Sequence, residues 1–218
     1  MANDYTEYLF LAEHSEELKQ KEEEYKKYLA NHIAGVKEAY EKYGMEMIKC
    51  LFPADEPSVI DDLYTTIKYT IIEKHDSSKY ENLEFSIYRQ KFYPIEGEPK
   101  VDNDEFIMAW LHHIHNNPHH LEHWIAYVDC ASNLSQSTKI LVDMPNEYII
   151  EMMCDWLSME ANGNDSVEDY YNNNKSSIMD KATVLTIAKI EIILESISKI
   201  KQEHIQSNNP SLDYDMTS

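Results

Sequence analysis

The stretch SEELKQKEEEYKKYLANHIAGVKEAYEKYGMEMIKCL, residues 15–51, decides the class of the fold. Within it Leu18, Tyr25, Tyr28, Leu29, Ile33 and Val36 recur at helical intervals, so one face is apolar and the rest charged, as an amphipathic helix requires. Ser15, followed by two glutamates, is placed to cap the helix start. The whole chain has only 4 glycines and 7 prolines in 218 residues, too little turn chemistry for a many-stranded sheet. The expectation is an all-α helical bundle, a single domain over residues 1–205, with a disordered polar tail at 206–218.

Working outward from that helix, FPADEPS (52–58) breaks the pattern, and Val59, Ile60, Leu63, Ile67 and Ile71 define a second helix that ends near EKHDSSKYE. The segment 80–101 holds aromatics but also Pro94, Gly97 and Pro99, which predicts a short helix and then an irregular loop. A long helix follows, with an Asp or Asn cap in VDNDEF (101–106). Pro118 disfavours helix at Asn117, so the helix is expected to kink or restart there, with Asn117 as cap and His119 and His120 in the new first turn. MPNEYIIEMMCDWL (144–157) reads as a further amphipathic helix, closed by ANGND. A polar linker then leads to a last helix over about 178–202.

The formal charge of −21 speaks against double-stranded nucleic acid, because little counterion would be released on binding; divalent cations would be drawn to such a surface. Cys50, Cys130 and Cys154 are scattered and odd in number, which fits reduced thiols in a cytoplasm better than a disulfide framework. Neither a secretory leader nor a membrane-spanning run is visible.

Six of the ten histidines fall in AWLHHIHNNPHHLEHW (109–124). So many imidazoles would repel one another below about pH 6.5 without a metal, whereas neutral imidazole with carboxylate is the donor set of zinc, manganese, iron and related ions. His112 with His115, and His119 with His123, have spacings that share a helix face. Neighbours such as His112 and His113 point about 100° apart, so one of such a pair is expected to hold an ion and the other to meet substrate or support the first. His14 and His204 read as ordinary isolated histidines. Glu122 and Asp143 are competing acids, read as a helix-surface residue and a loop or cap residue. Trp110, Trp124, Trp156, Tyr88, Tyr170 and Tyr171 read as core, with stacking on a base as the alternative.

HDSSK, His75 to Lys79, resembles the His-Asp motif of the HD-domain metal-dependent phosphohydrolase superfamily, which is all-helical. That superfamily orders its ligands as an early His, the His-Asp doublet, further histidines in some branches, and a late Asp. This chain has His32, then His75 and Asp76, then His112, His113, His119 and His120, then Asp155. The phrases HDSSKYENLEF, AWLHHIHNNPHHLEHW and MPNEYIIEMMCDWL also resemble recurring blocks of a phage and bacterial family of unknown function. NNPHH stands where the cyclic-dinucleotide phosphodiesterase branch carries Gly-Tyr-Pro, which leaves the substrate open.

The resemblance implies one or two divalent ions (Mn, Fe, Zn, Ni or Mg) on those residues, with Asp76 bridging. It implies catalytic roles for Asp76, Lys79 and His113, with Lys79 steadying a phosphate oxygen. The expected partner is a small phosphorylated substrate, a nucleotide foremost, with a homodimer as a further candidate; the expected location is cytoplasmic, in a host if the chain is phage-encoded. Two rivals stay open: a di-iron oxygenase on the same ligands, and a non-catalytic metal-stabilised protein that binds a host protein or a nucleotide.

Overall fold

The computed structural model describes residues 10–53, 55–130 and 133–208. It is an all-α bundle with one small hairpin. The helices are α1 (Ser15–Leu51), α2 (Pro57–Thr70), α3 (Asn82–Phe92), α4 (Asn103–Asn116), α5 (Asn146–Ala161), α6 (Val167–Lys181) and α7 (Val184–Asn208), and the hairpin is β1 (Ile125–Cys130) with β2 (Asn133–Leu141). Short 3-10 turns at Ile72–Lys74, Ser77–Tyr80 and Leu121–Trp124 complete the order. Among the described residues no helix is long and apolar enough to cross a membrane.

The spine is α1. Its buried positions include Tyr25, Leu29, His32, Val36, Tyr40, Tyr43 and Met47, a stripe at spacings of three and four that faces inward along its length. The lower part of that stripe enters a large aliphatic core with Ile149, Ile150 and Met153 of α5 and Ile190, Ile193 and Ile197 of α7. The upper part, Tyr25 and Leu29, enters a second, aromatic core with Tyr88, Phe85 and Phe106 of α3 and α4. His32 interrupts the apolar stripe where one core gives way to the other. One turn on, a Cβ at Gly35 would lie 3.2 Å from Ser158 Cβ, so the missing side chain lets α1 lie close against α5.

Local chemistry explains the ends. Asp102 caps α4 in a full capping box with Glu105. Gly163, at φ +89, closes α5: its N–H bonds Glu160 O, and the Asn164 N–H bonds Met159 O, the paired bonds of a Schellman stop.

Several expectations are corrected. Ser15 is the first residue of α1; His14 holds the cap position, and its ring bonds back to Phe10 O instead. The helix does not restart after Pro118: Asn117 is the C-cap of α4, and His119 and His120 lie in a turn, with His120 extended before Leu121–Trp124. The proline removes the donor a continued helix would need, and Trp124 Nε1 donates to the Pro118 carbonyl at 2.7 Å, fastening the turn. The polar linker is helix α6; a single stripe of Val167, Tyr171 and Ile178 is buried. The last helix therefore starts at Val184, after the break at Ala182, and runs to Asn208, past the expected start of the tail. Residues 209–218 lie outside the described residues, as do the side chains of Cys130 and His204; Cys50 and Cys154 are free thiols.

Candidate metal centre

The seam between the two cores is filled by imidazoles and carboxylates. His32 enters from α1. His75 and Asp76 sit in the turn after α2, where Asp76 adopts a left-handed conformation with φ 55, a backbone that aspartate tolerates better than most residues. His113 comes from α4, His119 and His120 from the turn after it, and Asp155 from α5. His32, His75, Asp76, His113 and His119 are buried.

Two groups of donors converge. In the first, His32 Nε2 is 3.2 Å from Asp155 Oδ1, 3.4 Å from Asp76 Oδ2 and 3.4 Å from His75 Nε2, and His75 Nε2 is 3.5 Å from Asp76 Oδ2. In the second, Asp76 Oδ1 is 3.6 Å from His113 Nε2 and 3.7 Å from His119 Nε2, while His113 Nε2 and His120 Nε2 are 2.8 Å apart. Donors bound at about 2.1 Å and separated by roughly 90–130° around one ion lie about 3.0–3.8 Å from each other. Most of these separations fall in that range. Both groups, His32 with His75 and Asp155, and Asp76 with His113, His119 and His120, could hold a metal ion.

Two further observations fit a cation. Asp76 Oδ1 is buried and has no hydrogen-bond partner among the described residues, an expensive arrangement for a carboxylate oxygen unless something positive meets it. The histidines are also turned to present Nε2. His75 Nδ1 lies 2.9 Å from Glu151 Oε1 and His119 Nδ1 3.1 Å from the same oxygen; His113 Nδ1 lies 2.9 Å from Glu84 Oε2, and His32 Nδ1 3.4 Å from Ser158 Oγ. For His75, His113 and His32 the oxygen can accept the Nδ1 proton and leave the Nε2 lone pair facing inward, as in histidine–metal sites generally; His119 Nδ1 faces Glu151 at ion-pair distance without a hydrogen bond.

The electrostatics are those of a tightly coupled cluster. Burial opposes a charge on His32, but Asp155 and Asp76 outweigh it and carry its pKa to about 9. Burial would likewise raise Asp76 and Asp155; the histidines around both, with Lys79 beside Asp76, hold them below the ordinary carboxylate range instead. His120 is pushed down to about 2 by burial and by His119 and His113, so it stays a neutral imidazole, the ligating form.

Of the expected site residues, the fold brings together His32, His75, Asp76, His113, His119, His120 and Asp155. It leaves out His112, whose Nδ1 is 2.6 Å from Glu84 Oε1 and whose Nε2 is 3.4 Å from Glu81. On one helix turn His112 and His113 cannot face the same point, and His112 takes the outer side. Both His119 and His120 converge, because they lie in a turn and not in a helix. Lys79 is 2.5 Å from Asp76 Oδ2. Glu122 instead pairs with Lys181, and Asp143 accepts from Thr183. Sequence reasoning missed Glu84 and Glu151. The signal for Glu151 was its place one turn before Asp155 in an otherwise apolar run.

Residues 21–199 match the sequence pattern of one protein family. The chain belongs to that family of unknown function (DUF5662). The matched span takes in every donor of the centre, together with Glu84 and Glu151. No curated protein and no solved structure matches the chain significantly.

Proposed function

We propose that this chain is a metal-dependent phosphohydrolase of the HD kind, acting on a small phosphate ester at a centre of one or two divalent transition-metal ions. The observation that carries the reading is Asp76, which turns one carboxylate oxygen toward each of two donor groups. If both donor groups held an ion, Asp76 would serve each of them, beside His32, His75 and Asp155 on one side and His113, His119 and His120 on the other. The donor set of imidazole nitrogens and carboxylate oxygens favours manganese, iron, zinc or nickel over magnesium or calcium.

Divalent ions bound there would polarise a phosphoryl group and make hydroxide available from water near neutral pH. The remaining work belongs to the protein. Glu151 and Glu84 fix the imidazole rings, and Asp155 and Asp76 supply the negative charge that retains cations in a buried seam. Lys79, part of the walls of two adjoining cavities, is a point charge for a phosphate oxygen. Hydrolysis forms one bond from a water oxygen to phosphorus and breaks the bond to the ester oxygen, which takes up a proton and leaves as an alcohol.

The test is elemental analysis of protein purified without a polyhistidine tag, followed by turnover assays on phosphate esters with Mn, Fe, Zn, Ni and Mg. Stoichiometric metal and phosphate release are expected, both lost in Asp76→Ala. Turnover that survives Asp76→Ala refutes the mechanism. Metal with an oxygen-dependent optical change and no phosphate release points to an iron oxygenase instead.

A further inference from the structure

Three cavities open on the centre, and one of them is unlike the others. It holds about 490 Å³, is walled by Tyr25, Leu29, Tyr88, Phe92, Phe106 and Trp110, and reaches His113, His120 and Lys79. The second, of about 670 Å³, shares Tyr28, Lys79 and His120 with it but is lined by His32, Asp155, Asn164 and Asp165. The third, of about 310 Å³, meets His119, His120 and Asp155 and carries Glu122, Asn174 and Ser177. All three volumes fall in the range of small-molecule sites.

The difference lies in what the walls can do for a polar atom. Among the described residues no carboxylate, side-chain amide or aliphatic hydroxyl lines the first cavity, whereas each of the others offers both carboxylate and amide. The ionisable groups that the first cavity does reach are committed elsewhere. Lys79 Nζ is 2.5 Å from Asp76 Oδ2. His113 Nδ1 is 2.9 Å from Glu84 Oε2, and its Nε2 lies 2.8 Å from His120 Nε2 within the centre. The Tyr88 hydroxyl is buried and does not open onto the cavity, so this residue presents its ring alone.

The rings form a connected lining. Tyr25 meets Tyr93 at 5.6 Å, Tyr88 meets Phe106 at 6.0 Å and Phe92 meets Phe106 at 6.4 Å. Trp110 carries the lining to His113 and His120, at 5.8 and 5.3 Å, so the apolar wall ends at the donors. A sugar or a nucleobase entering this space gives up water at several polar atoms and finds few partners, and each atom left unmet weakens binding roughly tenfold. A hydrocarbon ring has no such atoms to desolvate and gains ring contacts.

We infer that the aromatic cavity receives the leaving group of the substrate, and that this group is apolar: an alcohol bearing an aromatic hydrocarbon, esterified to phosphate, in preference to a nucleoside or a sugar. The assignment rests on the phosphohydrolase reading for its phosphate and on the cavity alone for its apolar part. The two polar cavities are left for water, which supplies the oxygen that joins phosphorus; the ester oxygen takes up a proton and the apolar alcohol is released.

The two parts are tested separately. Calorimetry on the metal-free and the metal-loaded protein, with 2-naphthylmethanol, adenosine and glycerol, tests the cavity. The naphthyl alcohol should bind at least tenfold more tightly than adenosine, and glycerol should not bind. Trp110→Ala should weaken the naphthyl alcohol about tenfold, and Phe92→Ser, at a ring 59 % exposed whose loss the fold tolerates, about threefold. Turnover of 2-naphthylmethyl phosphate, AMP and glycerol 3-phosphate by the metal-loaded protein tests the class, since all three leave as ordinary alcohols. The naphthyl ester should lead at least tenfold in kcat/KM, and Phe92→Ser should reduce that lead about threefold through KM. If adenosine or glycerol binds as tightly as the naphthyl alcohol, if neither substitution moves that affinity, or if AMP is the better ester, the inference is overturned even though esters are cleaved. If the naphthyl alcohol binds through Trp110 and Phe92 but no ester is hydrolysed, the phosphohydrolase reading fails and the cavity assignment survives.

Discussion

Glu151 offers the sharpest test of the centre, because one of its oxygens lies 2.9 Å from His75 Nδ1 and 3.1 Å from His119 Nδ1. His75 belongs to one donor group and His119 to the other. Carboxylates that orient a ligating histidine are worth about 10–100-fold in metal affinity. Glu151→Ala removes the acceptor of His75 Nδ1 and the carboxylate that faces His119 Nδ1, so each ion should bind more weakly, by about 10–100-fold, or roughly 1.4–2.7 kcal/mol, at the site of His75 and by no more than that at the site of His119. Glu151→Gln keeps an amide oxygen where both rings can reach it and loses only the charge, which accounts for about half the strength of such bonds; about a threefold to tenfold weakening is expected. Glu84→Ala touches only His113 within the centre, so it should weaken one ion and spare the other. Competition against a chromogenic chelator, with circular dichroism as the check on folding, reads the two affinities. If Glu151→Ala leaves both affinities at the wild-type level, or releases one ion alone, the assignment of the two groups is wrong.

Three further outcomes follow from the same geometry. In the metal-free protein the pKa of His32 is raised from 6.5 to about 9, so its stabilisation is fully present below pH 6.5 and lost as pH rises through 9. The loss amounts to about 3 kcal/mol; urea midpoints between pH 6 and 10 should fall accordingly, and a flat profile refutes the pairing. Arg89→Met leaves the Glu98 side chain, 1 % exposed, as a buried carboxylate without its ion-pair partner, held only by the Ile95 N–H, and should cost about 3 kcal/mol; adding Glu98→Gln should recover most of it, measured by denaturant unfolding. Gly35→Val would drive a side chain into Ser158 and lift α1 from α5, so it should weaken metal binding at the group containing His32 and Asp155 more than at the other, read by the same chelator competition.

The helices were legible where apolar periodicity was dense, as in α1, α2 and α5. The signal failed where the buried stripe was thin: α6 buries three side chains amid asparagines, and its composition reads as linker. The hairpin was missed for a related reason, since Tyr127, Val128 and Ile140 are exposed and no clean alternation marks an inner face. The converging histidines and aspartates were readable because their chemistry is distinctive. Their carboxylate supports were not, since a glutamate on a helix carries no mark of which way it faces. His112 and the turn at 117–120 depended on helical phase across Pro118, which only tertiary contacts fix.

The seam has a consequence for the behaviour of the whole molecule. The aromatic lobe of α3 and α4 joins the aliphatic body partly through Tyr25 and Leu29 and partly through a layer of imidazoles and carboxylates, whose cohesion depends on charge instead of on hydrocarbon. Oil-like contacts keep nearly the same strength across buffers, whereas this layer does not. Acid or a chelator therefore acts on the hold between lobe and body first, so amide exchange in Asn82–Asn116 should respond to those agents sooner than exchange in α5 and α7.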